Sequence, residues 1–188
     1  MLESAEETLH IVGVALTLAF FAFFWALRGK LNDVMGVEYV QWNRTSPVFL
    51  VRAVALGLVA GAVMAWWFRN YDLGTEPPFA ELWIAITWGP LIEEVMFRGY
   101  LFSLLDGLLR RWMRSPGWLV VIGIAAVFAL GHLVKTGITP VQIASIFVTG
   151  TLYGWLRLDS GSTVPPVCSH ISYNSVIYLA AAFLRQQR

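Results

Sequence analysis

Apolar residues run along this chain in long blocks, separated by short polar groups. Six blocks stand out: Leu9 to Leu27, Pro47 to Phe68, Phe79 to Leu109, Gly117 to Val134, Thr139 to Leu156 and Val164 to Leu184. A helix crosses a bilayer core of about 30 Å with about 20 apolar residues, and each block is near or above that length. The pattern predicts an all-α fold: a polytopic transmembrane bundle of about six membrane helices. The ten-residue alternation of a membrane β-barrel strand is absent from the sequence. The first block has an acidic flank (Glu3, Glu6, Glu7), opposite to the basic flank of a cleavable signal peptide, so it is expected to be retained. The third block contains Pro90, Glu93, Glu94, Arg98 and Asp106, which predicts a kinked, tilted or partly extramembrane helix. Thr139 is expected to cap the fifth block, with Pro140 at its first helical position. The connections are short and carry turn residues, and no internal repeat is visible. One integral membrane domain is therefore expected over residues 1–188.

Composition narrows the function classes. Of the 188 residues, 57% are hydrophobic and 13% charged, the latter about half the share usual in a soluble domain. The mean hydropathy is +0.65. A small water-soluble fold cannot hide that much apolar surface, and a disordered chain would not contain it. A net charge of +1 gives no electrostatic basis for binding nucleic acid. The single cysteine, Cys168, excludes an internal disulfide and a multi-thiolate zinc site. Arg28, Lys30, Arg44, Arg110, Arg111, Arg114 and Arg157 fall on one side of the expected bundle, against Arg69, Lys135, Arg185 and Arg188 on the other. That asymmetry puts the first set inside and both termini outside.

The informative charges are those inside the apolar blocks. An ionised group in a bilayer costs several kcal/mol by order of magnitude, and it usually marks function. The third block holds Glu93, Glu94 and Arg98. Glu94 and Arg98 are four apart, share a helix face and can pair. Glu93 points about 100° away and is left to face a cavity, where desolvation would make it a stronger base. A lone Glu–Arg pair reads equally well as an ion pair that joins helices. The second carboxylate tilts the reading toward chemistry, because an unpaired buried carboxylate stabilises nothing.

Two histidines lie in later blocks. His132 ends the run from Phe128, and His170 lies four residues before Asn174, so the latter two share a face. Each histidine alone would read as an interhelical hydrogen bond. His10 has no polar companion and reads as interfacial. Together the six positions supply a base, a second base or orienter, and neutral donors, enough to activate water and stabilise an oxyanion. Glu93, His132 and His170 could also ligate a divalent metal such as zinc. However, Glu-Glu-x-x-x-Arg is not the His-Glu-x-x-His spacing of a zinc helix. Ser169 and Cys168 are too close in sequence to His170 to face it on a helix, so a nucleophilic dyad is not expected. Gly57/Gly61 and Gly150/Gly154 read as close helix packing. His132 ends its block while His170 begins its own, so ideal parallel spans would set them at different depths. At least one of Lys135 to Ile138 and Ser160 to Cys168 is therefore expected to dip inward and line the cavity.

Glu93-Glu94-x-x-x-Arg98, Phe128-x-x-x-His132 and His170-x-x-x-Asn174 resemble the three motifs of the CPBP family. This family comprises the CAAX prenyl proteases of the Ras-converting type and the bacterial bacteriocin-processing or Abi proteins. Order, separation and hydrophobic setting all match, and Gly150-Thr-Leu-Tyr-Gly154-Trp-Leu-Arg157 resembles the stretch before the third motif. The resemblance covers about Trp83 to Leu184 and implies a glutamic-type intramembrane endopeptidase with a catalytic core at about 79–184. It implies that Glu93 and His132 activate water, that His170 and Asn174 stabilise the oxyanion, and that Glu94 and Arg98 support the site. Members were first taken for metalloproteases, and the resemblance favours a site without metal or other cofactor. The implied partners are the lipid bilayer and a membrane-associated protein or peptide substrate, and the implied location is a bacterial inner membrane. Two other readings use the same residues: a non-catalytic immunity or scaffold protein of this fold, and a proton-coupled transporter. The latter is often built from repeated halves, which the sequence lacks.

Overall fold

The computed structural model describes residues 40–41, 45–69, 82–134 and 138–185. The first apolar block and His10 lie outside these residues, as does most of the chain between the first and third blocks apart from the second. The described elements are α1 (Pro47–Phe68), π1 (Ile84–Trp88), α2 (Gly89–Glu94), π2 (Val95–Leu101), α3 (Phe102–Leu109), α4 (Gly117–Gly131), a 3-10 turn (His132–Val134), α5 (Pro140–Ser160) and α6 (Val164–Arg185). No strand occurs among the described residues. Local chemistry sets the ends of the helices. Ser46 caps α1 and Pro47 follows it, and Thr139 and Gln142 close a reciprocal capping box on α5 ahead of Pro140. Gly161, with φ 65°, takes the left-handed position that ends α5.

The third block forms one helical path from residue 82 to Leu109, but its winding alternates between α and π along the way. Pro90 cannot donate to the ladder, and a π-wound stretch lies directly before it. The expected irregularity at Pro90 is thus present as π segments on both sides of the short α2.

Helices pack where side chains are smallest. Ala53, Gly57 and Gly61 form the buried stripe of α1. A Cβ at Gly57 would collide with the backbone carbonyl of Ser169 on α6, and one at Gly61 would come within 3.0 Å of the Tyr173 carbonyl. On the other side of the bundle, Gly154 of α5 lies against Val121 of α4, and Gly150 lies against Phe128. Both glycine pairs therefore allow the close helix approach expected of them. At one rim, Arg52 of α1 bonds Asp159 of α5 at 3.0 Å and lies over the Trp155 ring.

The distribution of side chains is inverted relative to a water-soluble protein. Val48 is 75% exposed, Val51 71% and Trp66 62%, and Trp118, Leu119, Val127 and Leu130 also point outward from α4. Meanwhile Glu94, Arg98, Arg157, Thr163 and His170 are buried. Apolar surface of this extent needs an apolar surrounding. Among the described residues, though, only α1 combines the length and hydropathy of a span, at 22 residues and mean hydropathy 2.3. Of the about six membrane helices expected, the first lies outside the described residues, and α1 is the one clear span among the rest. α4 is apolar but stops at 15 residues, and the third block is interrupted by changes of winding. α5 and α6 are long enough, but polar residues such as Arg157 and His170, which face protein, dilute their hydropathy.

The packing predicts an asymmetry between glycines. Gly57→Val should lower stability by roughly 1–3 kcal/mol through overpacking against α6. Gly123→Ala, where nothing lies within 4 Å of the new Cβ, should be neutral or stabilise by up to about 1 kcal/mol. Thermal unfolding in detergent micelles checks both.

Candidate active site

The site begins with an ion pair sealed from solvent. Glu94 and Arg98 are both 0% exposed, and Arg98 Nη1 donates to Glu94 Oε1 at 3.1 Å. Four-residue spacing along one helical path sets this contact, as the sequence pattern predicts. The other guanidinium arm, Nη2, donates to the Gly150 carbonyl on α5 at 2.8 Å. The cationic carbon lies 4.6 Å from the centre of the Phe128 ring and 5.5 Å from that of Tyr153. Desolvation is therefore offset by a carboxylate, a carbonyl and aromatic faces together.

His170 of α6 closes this cluster. Its Nδ1 lies 2.9 Å from Glu94 Oε1. A carboxylate oxygen already paired with Arg98 can only accept, so Nδ1 carries the proton and donates. The other nitrogen, Nε2, lies 3.9 Å from Glu93 Oε2. Tyr153 stacks on the imidazole with ring centroids 4.6 Å apart and planes at 20°. His170 is thus clamped between Glu94 and a buried aromatic ring, with one nitrogen directed to the neighbouring carboxylate.

Glu93 stands apart from the pair. Its side chain is 34% exposed, against 0% for Glu94. It lines a cavity of about 190 Å³ together with Phe97, Phe128, Gly131 and His132. His132 enters this cavity from the C-terminus of α4. The last turn tightens there, so the His132 backbone N–H turns to the carbonyls of Ala129 and Leu130. That frees the Phe128 carbonyl, which accepts from His132 Nδ1 at 2.8 Å. A carbonyl can only accept, so in the neutral ring Nε2 keeps its lone pair.

The structure therefore brings Glu93, Glu94, Arg98, His132 and His170 together. Phe128 is the hub between the histidines, edge-on to His132 at 4.8 Å and to His170 at 6.1 Å. Asn174 shares the face of His170 but has a different partner, and its Nδ2 donates to the Ala85 carbonyl at 2.7 Å. Among the described residues, no three His, Cys, Asp or Glu side chains converge as metal ligands. The expectation of a connection dipping into the cavity is not met by Ser160 to Cys168. Ser162 and Thr163 turn instead to Gln41 and Thr45, while residues 135–137 lie outside the described residues.

Tyr153 and Phe128 are site residues to which the sequence reading gave no role: Phe128 stands there only as the start of its motif, and Tyr153 only within the run from Gly150 to Arg157. Tyr153 is 1% exposed, and its hydroxyl and Glu94 Oε2 are both buried without a hydrogen-bond partner. The available signal was spacing: Tyr153 lies three residues after Gly150 and Phe128 four before His132, so each shares a helix face with a residue already singled out.

The profile of one protein family matches this region, described as type II CAAX prenyl endopeptidase Rce1-like, over residues 75–176. The chain belongs to this family. The matched stretch covers more than half of the chain and contains all six polar residues of the site. No curated protein and no solved structure matches the chain. At the level of the family, the protein is a CAAX-type endopeptidase, a membrane protease whose substrate class is membrane-associated protein. α1 and the last turns of α6 lie outside the family match.

A buried pair of this kind predicts strong coupling. Arg98→Met should destabilise the protein by about 3–5 kcal/mol, because Glu94 is left buried without its counter-charge. Adding Glu94→Gln should recover most of that loss. Unfolding midpoints of the two single variants and the double variant in detergent measure the coupling, and simple additivity would contradict it.

Proposed function

We propose that this endopeptidase is of the glutamic type, works within the membrane and uses no metal. The observation that carries the proposal is the division of the two carboxylates. Glu94 is locked into the Arg98–His170 cluster, while Glu93 lines a cavity with His132. In this reading Glu93 takes a proton from water, and His132 Nε2 accepts the second hydrogen bond that orients the same water. The resulting hydroxide adds to the scissile carbonyl carbon. His170, held by Glu94 through Nδ1 and carrying protons on both ring nitrogens throughout the cycle, lies beside Glu93 and donates its Nε2–H to the oxyanion. Collapse breaks the C–N bond, and Glu93 returns its proton to the departing amine nitrogen. Arg98 fixes Glu94, and thereby His170, without touching the reacting atoms. The apolar outer faces of α1 and α4 support seating this bundle in the bilayer, with the cavity shielded from bulk water.

Cleavage of a membrane-peptide library in detergent, followed by mass spectrometry, tests the assignment. Glu93→Gln should lower turnover by about 10²–10⁴-fold while leaving the melting midpoint near that of the wild type. Wild-type turnover by that variant would overturn the mechanism. Chelators should leave turnover unchanged. Loss of activity on chelation that zinc restores would instead assign a metal to Glu93, His132 and His170.

A further inference from the structure

Pro90 removes a backbone N–H from the interior of a helix, so one carbonyl a turn earlier loses its donor. The local winding identifies that carbonyl. Across π1 the ladder steps back five residues, and Gly89 N–H donates to the Ile84 carbonyl. The next step of the same winding pairs position 90 with Ala85. Pro90 has no hydrogen to give, and Gly89 is already committed to Ile84. The Ala85 carbonyl is instead met by the side-chain amide of Asn174, at 2.7 Å.

We infer that Asn174 of α6 stands in for the missing N–H of Pro90, and that it is a positioning residue which fixes the winding just ahead of Glu93. The consequence for the site is geometric. If the π turn relaxed to α, every later residue would shift by one position, about 100° around the helix relative to the residues before it. Glu93 and Glu94 diverge by about the same angle, so such a slip would turn Glu93 into the direction that Glu94 takes and carry Glu94 about 100° beyond it. Asn174 therefore holds from α6 the bend that keeps Glu93 on the cavity side. His170, one turn earlier on α6, holds Glu94 from the same face. This adds to the role that family resemblance gives Asn174, direct donation to the oxyanion, because the side-chain amide has two N–H donors and the Ala85 carbonyl takes one; the inference rests on the proposed protease mechanism only for its effect on turnover.

The two roles separate in a double-mutant cycle, because Pro90→Ala restores the backbone donor that Asn174 replaces. Melting midpoints in detergent and turnover of the membrane-peptide library are measured for Asn174→Ala, Asn174→Asp, Pro90→Ala and Pro90→Ala with Asn174→Ala. Asn174→Ala should lower the midpoint by roughly 2–4 °C, the scale of one lost hydrogen bond in a protein of this size. It should cut turnover about 100-fold, the scale of a small misplacement of catalytic groups. Asn174→Asp keeps the shape but loses the donor, and should be at least as damaging. In the Pro90→Ala background, Asn174→Ala should no longer lower the midpoint, and part of the lost turnover should return. Additive midpoints would overturn the inference. Coupled midpoints with none of the turnover recovered in the double variant would also overturn it, since the winding would then not position Glu93. If the wild type cleaves nothing in the library, the protease mechanism fails. The midpoints alone then decide whether Asn174 replaces the Pro90 donor: coupling upholds it and additivity rejects it.

Discussion

The constraint on which the rest of the molecule depends is a charge pair with no access to water. Glu94 and Arg98 can stay ionised at 0% exposure only if their surroundings replace hydration. That requirement recruits three parts of the chain at once. The third block supplies both charges, α5 supplies the Gly150 carbonyl, and α6 supplies His170. Moving any one of these helices would leave a charge without its partner. The pair is a weak source of net stability but a strict specification of arrangement, and the arrangement is what isolates Glu93.

A second theme is the repair of helices by side chains. Carbonyls close to changes of winding receive hydrogen bonds from side chains. Asn174 donates to Ala85 before Pro90, Arg157 Nε donates to Arg98 at 2.9 Å within π2, and His132 donates to Phe128 where α4 tightens. In lipid, a backbone group without a partner costs several kcal/mol, so irregular winding persists only where such donors exist. The polar residues that carry the chemistry, and those beside them, are thus also the residues that let the helices depart from regular geometry. Function and irregularity occupy the same places for one physical reason.

Much of this was readable in the sequence, because it follows from local rules. Apolar blocks gave α1 and α6 to within a residue, and Thr139 with Pro140 marked the start of α5. Four-residue spacing anticipated both the Glu94–Arg98 pair and the separation of Glu93 from it. What escaped the sequence depends on contacts between distant segments. The stacking of Tyr153 on His170 and the position of Phe128 between two imidazoles have no local signature, since an aromatic residue in an apolar block reads as packing. The π segments escaped for a related reason, because apolar content does not distinguish one winding from another. Hydropathy singles out one clear span among the described residues, because it counts Arg157 and His170 against α5 and α6 although both face protein.

The small cavity beside Glu93 has a consequence for whatever enters it. Its volume of about 190 Å³ equals the room of about six water molecules at about 30 Å³ each. An intact helix, about 10 Å across with its side chains, does not fit such a space. In the proposed mechanism a polypeptide therefore presents its scissile bond in extended form, and a helical partner unwinds locally first. The energy of that unwinding falls on the partner, so segments rich in Gly or Pro, or near a frayed helix end, gain an advantage over regular apolar helices. Selection then acts through the ease of opening a turn as much as through the side chains on either side of the bond.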